Sequence, residues 1–224
     1  MPNDFPLSTS SLTDALYEAV RLRIINGEIA SGEKLTEARI AAEYNVARPT
    51  ARAGLERLTA AGLLRRTAHK TAVVPTFGID EIEDIFMARL AVERAAVTHL
   101  AADRTVPEAA VRAQDAIEIA AEQMRFPDQV AADIAFHAAL VEAAGSSRLS
   151  KMHALIMDEV HLTMGQFQAH RVADPRNITR EHAEILAAID TADVDAAATA
   201  LFTHLDNARK RLVQQAQTTE ATET

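Results

Sequence analysis

No cysteine occurs in the 224 residues. That absence excludes a disulfide framework, a thiolate zinc site and a cysteine nucleophile, and it fits a reducing compartment. The opening MPNDFPLSTSS has neither a basic nor an apolar leader region, and no later run approaches the roughly 20 apolar residues a membrane span needs. The expectation is a soluble, cytoplasmic chain with no membrane partner. Signatures of enzyme chemistry are missing too: there is no HExxH, P-loop or GxGxxG, and no paired Glu-x-x-His of a carboxylate-bridged di-iron bundle. No nucleophile and base arrangement is evident, so the chain is not expected to be an enzyme.

The charge is unevenly spread. The formal net charge is -9, which does not look like a DNA binder, yet the first 76 residues carry 10 Lys/Arg against 8 Asp/Glu and the remainder 13 against 24. Between Lys34 and Lys70 the count is 8 basic against 3 acidic. A short positive stretch on an acidic protein is a local electrostatic footprint.

The length accommodates two modest domains. Residues 1–10 are polar with two prolines, and the last stretch QQAQTTEATET has little to bury, so disorder is expected at 1–10 and 216–224. The composition changes near Thr76 to Gly78, which separates a unit at 11–76 from an Ala-rich, helix-periodic unit at 79–215. In the first unit Ser11 caps a helix from about Leu12 to Asn26, stopped by Gly27, and Thr36 caps a short helix through Tyr44. A third helix starts near Pro49 and closes at Gly62. Leu63–Arg66 and Thr71–Val74 read as two short strands around 67–70. The second unit reads as six helices, near 80–103, 107–125, 127–144, 148–171, 179–191 and 194–215, with bundle-like short breaks. The fold expected is mainly α: an N-terminal winged helix-turn-helix followed by an all-α helical bundle.

In a winged helix-turn-helix the third helix enters the major groove. Arg48 and Arg52 stand one turn apart at its start, where guanidinium forks reach phosphates or the O6/N7 edge of guanine, and Thr50 adds a hydroxyl. Arg65, Arg66, His69 and Lys70 place further positive charge around the hairpin, His69 and Lys70 being the wing candidates. The plain alternative is a solvated basic face. The segment GEIASGEKLTEARIAAEYNVARPTARAGLERLTAAGLL resembles the GntR-family DNA-binding domain. The resemblance implies base or phosphate contacts for Arg48, Thr50 and Arg52, with Arg39 a weaker candidate. The chain departs from the family pattern at Ala47 (usually Ser), at the order Pro49-Thr50, at Ala53-Gly54 (usually Glu-Ala), and at a wing tip without glycine.

In DIAFH, Asp133 and His137 are one helical turn apart and project from one face at ligand spacing. His182 and His204 belong to separate later helices that a bundle can bring to the same interior point. One Asp with three His suits a borderline divalent ion, zinc first, with nickel, cobalt or manganese as alternatives. Such an ion keeps about one positive charge, and an open coordination position attracts a carboxylate oxygen. The segments DIAFHAALVEAAGSSRL, EHAEILAAI and AATALFTHLDNAR are similar to the FCD domain of FadR-type GntR regulators, and six helices place the chain near the shorter, VanR-like members. That resemblance implies a metal site of Asp133, His137, His182 and His204. Arg89 and Glu93 match the family's R-x-x-x-E segment, so Arg89 is either an effector-carboxylate contact or one half of a structural salt bridge. His99, His153, His161 and His170 read as ordinary surface or core histidines.

The function expected is a DNA-binding repressor, a homodimer on a short inverted repeat of double-stranded DNA, modulated by a small organic-acid effector at a metal-containing site. A repressor responding to metal alone is the second reading, and a metal-dependent enzyme the third.

Overall fold

The structure, a computed structural model, describes residues 12–66, 71–167 and 175–223. The chain divides into two compact units, Met1–Thr76 and Phe77–Thr224.

In the first unit, α1 (Leu12–Ile25) buries Leu16, Val20 and Ile24, and Gly27 follows it at φ 74°. Helix α2 (Glu37–Glu43) is capped by Thr36, whose Oγ1 accepts the Arg39 N–H at 3.2 Å, and it ends before Asn45 at φ 50°. Helix α3 (Arg48–Ala60) carries Pro49 in its first turn and buries Ala51, Gly54, Leu55 and Leu58. A Cβ on Gly54 would stand 3.0 Å from Leu16 Cδ2, so α3 closes on α1 where the family usually carries alanine. Strands β1 (Lys34–Leu35), β2 (Arg65–Arg66) and β3 (Ala72–Val73) form an antiparallel sheet in the order β1-β3-β2. Strand β1 is an addition to the two expected strands, because two residues carry no alternation to read. Residues 67–70, and with them His69 and Lys70, lie outside the described residues, as do residues 1–10.

Among the described residues the second unit has six helices: α4 (Ile79–Ala102), α5 (Glu108–Glu122), α6 (Phe126–Ala143), α7 (Ser147–Phe167), α8 (Pro175–Asp190) and α9 (Val194–Glu223). Helix α4 starts sharply because the Glu81 carboxylate accepts the Gly78 N–H at 3.1 Å. It packs against α9, α7, α6 and α8, while α5 packs on α6 and α8. Alanines 96, 101, 110, 120 and 197 are fully buried and let these helices approach closely, around Ile82, Leu100, Ile117, Phe136, Leu140, Ile185, Ile189 and Leu201. The outcome is an interior reached by faces of α4, α6, α8 and α9.

Among the described residues two boundaries differ from expectation by a turn or more. Helix α8 begins at Pro175 rather than Thr179, since proline suits a first turn and the expected start sat one turn too late. The C-terminal stretch expected to be disordered from 216 continues α9 to Glu223. Ala216 is buried and extends the stripe Leu201, Leu205, Ala208 and Leu212. Low hydrophobicity hides this, but Ala, Gln and Glu are good helix formers and extending an existing helix is far easier than starting one.

Candidate metal centre and nucleic-acid interface

Helix α6 presents Asp133 and His137 from one face, α8 presents His182 and α9 presents His204. All four are buried, and one ligand atom from each lies within 4.8 Å of every other. His204 Nε2 is 3.1 Å from His137 Nε2 and 3.3 Å from His182 Nε2, and Asp133 Oδ1 is 3.5 Å from His182 Nε2. The Phe136 ring stacks on His182 at a centroid distance of 3.8 Å and an interplanar angle of 2°, which sets the plane of that imidazole.

The other face of each imidazole decides what these close nitrogens mean. His137 Nδ1 is 2.7 Å from Glu93 Oε2, and His204 Nδ1 is 2.9 Å from Glu181 Oε2. His182 Nδ1 is 3.2 Å from Gln114 Oε1, and the Gln114 amide is oriented by donating Nε2–H to the Thr179 carbonyl at 2.7 Å. Each Nδ1 faces an oxygen, and in the tautomer that donates to it the three Nε2 lone pairs face one point. Nitrogens 3.1–3.3 Å apart are bridged either by a shared proton or by a cation. Two nitrogens about 2.0–2.1 Å from a tetrahedral zinc stand about 3.3 Å apart, so the observed spacing fits such an ion.

The electrostatics agree. Burial pushes His182 and His204 well below the ordinary imidazole range, and the neighbouring imidazoles push further the same way, against the opposing pull of Asp133. Both rings stay neutral at physiological pH, the state in which an imidazole ligates metal. For Glu93, burial alone would raise the carboxyl, but Arg89 and the His137 and His153 hydrogen bonds outweigh it and hold Glu93 well below the usual range.

Arg89 and Glu93 lie one turn apart on α4, both 0% exposed, with Arg89 Nε donating to Glu93 Oε1 at 2.6 Å. Glu93 also receives His153 Nε2 at 3.1 Å, so one carboxylate joins Arg89, a candidate metal ligand and a histidine of α7. The guanidinium lies 5.6 Å from the Phe86 ring centroid. Its Nη1 and Nη2 are buried with no partner. Of the two sequence readings of Arg89, the salt bridge is present through Nε, and the two terminal amino groups have no acceptor.

Sequence reasoning assembled the four convergent residues but missed their supports. Glu181 sits beside His182 in REHAEIL and so carried a positional signal. Gln114 and His153 carried none, and His153, read as an ordinary histidine, proves to be buried against Glu93. His99, by contrast, is exposed near Asp103.

In the first unit Arg48 and Arg52 are exposed on α3 and Thr50 is half-buried. The Arg52 Nε and Nη2 bind the two oxygens of Glu37 at 2.8 and 3.3 Å, which links α3 to α2 and aims the guanidinium. Arg39 is held to Glu33 at 2.6 Å and reaches the Lys34 carbonyl at 3.3 Å, so its guanidinium serves the α2 region. Ala47 supplies no side-chain cap, which leaves first-turn N–H groups of α3 uncapped beside Arg48.

Residues 12–74 match the gntR family of bacterial regulatory proteins and residues 84–207 match the FCD domain. The HTH-type transcriptional repressor NanR of Cronobacter sakazakii is 26% identical over 223 residues, covering 90% of this chain and 85% of NanR. A GntR protein of Rhodococcus sp. RHA1 shares the fold with a TM-score of 0.80 at 24% identity, over 92% of this chain and 99% of its own. McbR/YncC of E. coli does so with a TM-score of 0.76 at 19% identity, over 92% and 99%. The chain belongs to the GntR family of bacterial regulatory proteins: it is a transcriptional regulator in which a GntR helix-turn-helix unit is followed by an FCD domain.

Proposed function

We propose that this regulator is a repressor whose operator affinity is set by a small carboxylate effector, held in the FCD domain by Arg89 beside a divalent ion on Asp133, His137, His182 and His204. The observation that carries the reading is the buried guanidinium with two unpartnered amino groups. A carboxylate is the acceptor that matches such a fork, and its charge offsets the local excess of cation. A response to metal alone would leave those donors unanswered. Zinc is the ion best matched to three imidazoles and one carboxylate, and it supplies a positive centre that draws a ligand oxygen. The repressor role is supported by NanR, which carries that word in its name.

The same reading makes the protein a homodimer on a short inverted repeat, because one helix-turn-helix reads a half-site. A surface on α4 and α9 supports it. Met87 and Phe202 are exposed there beside Leu90, and an adjoining groove that shares Leu90 and Phe202 is bordered by Arg94 and Asp195, which have no ion partner among the described residues. In a two-fold contact Arg94 of one copy meets Asp195 of the other while the apolar residues cover each other.

On the DNA side, Arg48 and Thr50 contact bases or phosphates, Arg52 does so from its Glu37 support, and Arg39 acts at most on the backbone. The test is fluorescence anisotropy on the DNA upstream of the gene, together with sizing of the free protein. The dimer should bind with strong salt dependence, and Arg48→Ala should weaken it by about 1–3 kcal/mol, roughly 5- to 150-fold. A monomer with no preference for that DNA would defeat the reading.

A further inference from the structure

Among the described residues three buried side-chain polar atoms have no hydrogen-bond partner, and all three are N–H donors: Nη1 and Nη2 of Arg89, and Nε2 of Gln129. Gln129 is 1% exposed and belongs to α6. It stands one turn before Asp133 and two turns before His137, so the three share a face of the helix, and successive members are separated by about 6 Å along its axis. The ligand-bearing face of α6 is therefore prolonged by a third polar residue, whose Nε2 has no acceptor. Neutral amides are not buried unpaired without cost, and native interiors rarely tolerate it. A missing acceptor beside Gln129 is a second demand, distinct from the one at Arg89.

We propose that Gln129 reads a second oxygen of the effector. Arg89 takes the carboxylate, and Gln129 donates to an acceptor elsewhere on the same molecule. The ligand class is then hydroxy, oxo or dicarboxylic acids, and simple monocarboxylic acids are excluded from tight binding. The inference rests on the carboxylate reading of Arg89, and the two fail in different ways.

The experiment is calorimetric titration of the full-length, zinc-loaded protein with matched pairs of acids: propionate against lactate, butyrate against malate, and hexanoate against gluconate. In at least one pair the oxygenated acid should bind at least about ten-fold tighter. Gln129→Met, close in volume and without the amide, should remove about five- to ten-fold of that preference while leaving the plain acid unchanged. The same variant should keep or raise the melting temperature of the ligand-free protein, because an unpaired buried donor is gone. A structural glutamine would instead lower it. The inference is overturned if the oxygenated acid has no advantage, if Gln129→Met leaves its affinity intact, or if both acids of a pair weaken equally. Arg89→Met reports on the underlying reading: it should weaken both acids, and binding that survives in this variant removes the carboxylate proposal itself.

Discussion

Replacing His182 by alanine is expected to weaken zinc binding by at least about 100-fold. Loss of an outer partner of a metal ligand commonly costs 10- to 100-fold, and His182 is placed to be a ligand itself. Its Nε2 stands 3.3 Å from that of His204, its ring is stacked on Phe136, and its Nδ1 is tied to Gln114. His137→Ala is expected to act in the same direction and to remove the His137 link to Glu93 as well. The measurement is competition for zinc against a chromophoric chelator. DNA affinity in the absence of effector should stay within about three-fold, because the substitution lies in the FCD domain and carries no charge change at neutral pH. Undiminished zinc affinity in both variants would remove these histidines from any metal site.

The largest expected effect on stability comes from Glu93→Leu. Glu93 and Arg89 are both fully buried, and Glu93 Oε1 is the acceptor within 2.6 Å of the Arg89 guanidinium. Removing one partner of such a pair leaves an uncompensated interior charge, which destabilises by about 3–5 kcal/mol. For a domain of this size that corresponds to a fall in melting temperature on the order of 10 °C. The double variant Arg89→Met with Glu93→Leu should recover much of the loss, since no charge remains unpaired. A double-variant cycle by chemical denaturation measures the coupling. If Glu93→Leu costs under about 1 kcal/mol, the guanidinium is compensated by something other than Glu93. The same substitution is expected to lower zinc affinity by about 10- to 100-fold through the His137 Nδ1 contact.

Most helices were legible because an apolar period of 3.6 residues ended at a stop, such as Gly27, Gly62 or Gly145, and local rules govern both. Strand β1 was not, because Lys34 and Leu35 are too few to show alternation and pair only through the distant Ala72 and Val73. The end of α9 was misjudged from composition, although Ala216 continues its buried stripe. At the candidate site, Asp133 and His137 advertise themselves by spacing within one helix. His182 and His204 were joined to them partly by resemblance, since convergence of three helices is a tertiary event. The groups that orient the imidazoles, Glu93, Gln114 and Glu181, were invisible as such. A buried carboxylate or amide looks in sequence like any surface one until the partner on another helix is known.

The metal centre is the claim on which the ligand reading depends, and first-shell spectroscopy addresses it most directly. Protein purified without chelator and dialysed against zinc should carry one ion per chain by mass spectrometry of the elements. X-ray absorption should then give a first shell of about three imidazole nitrogens and one or more oxygens near 2.0–2.1 Å. Zinc well below one equivalent after dialysis, or a shell without multiple imidazoles, would contradict the convergence of His137, His182 and His204 on a single ion.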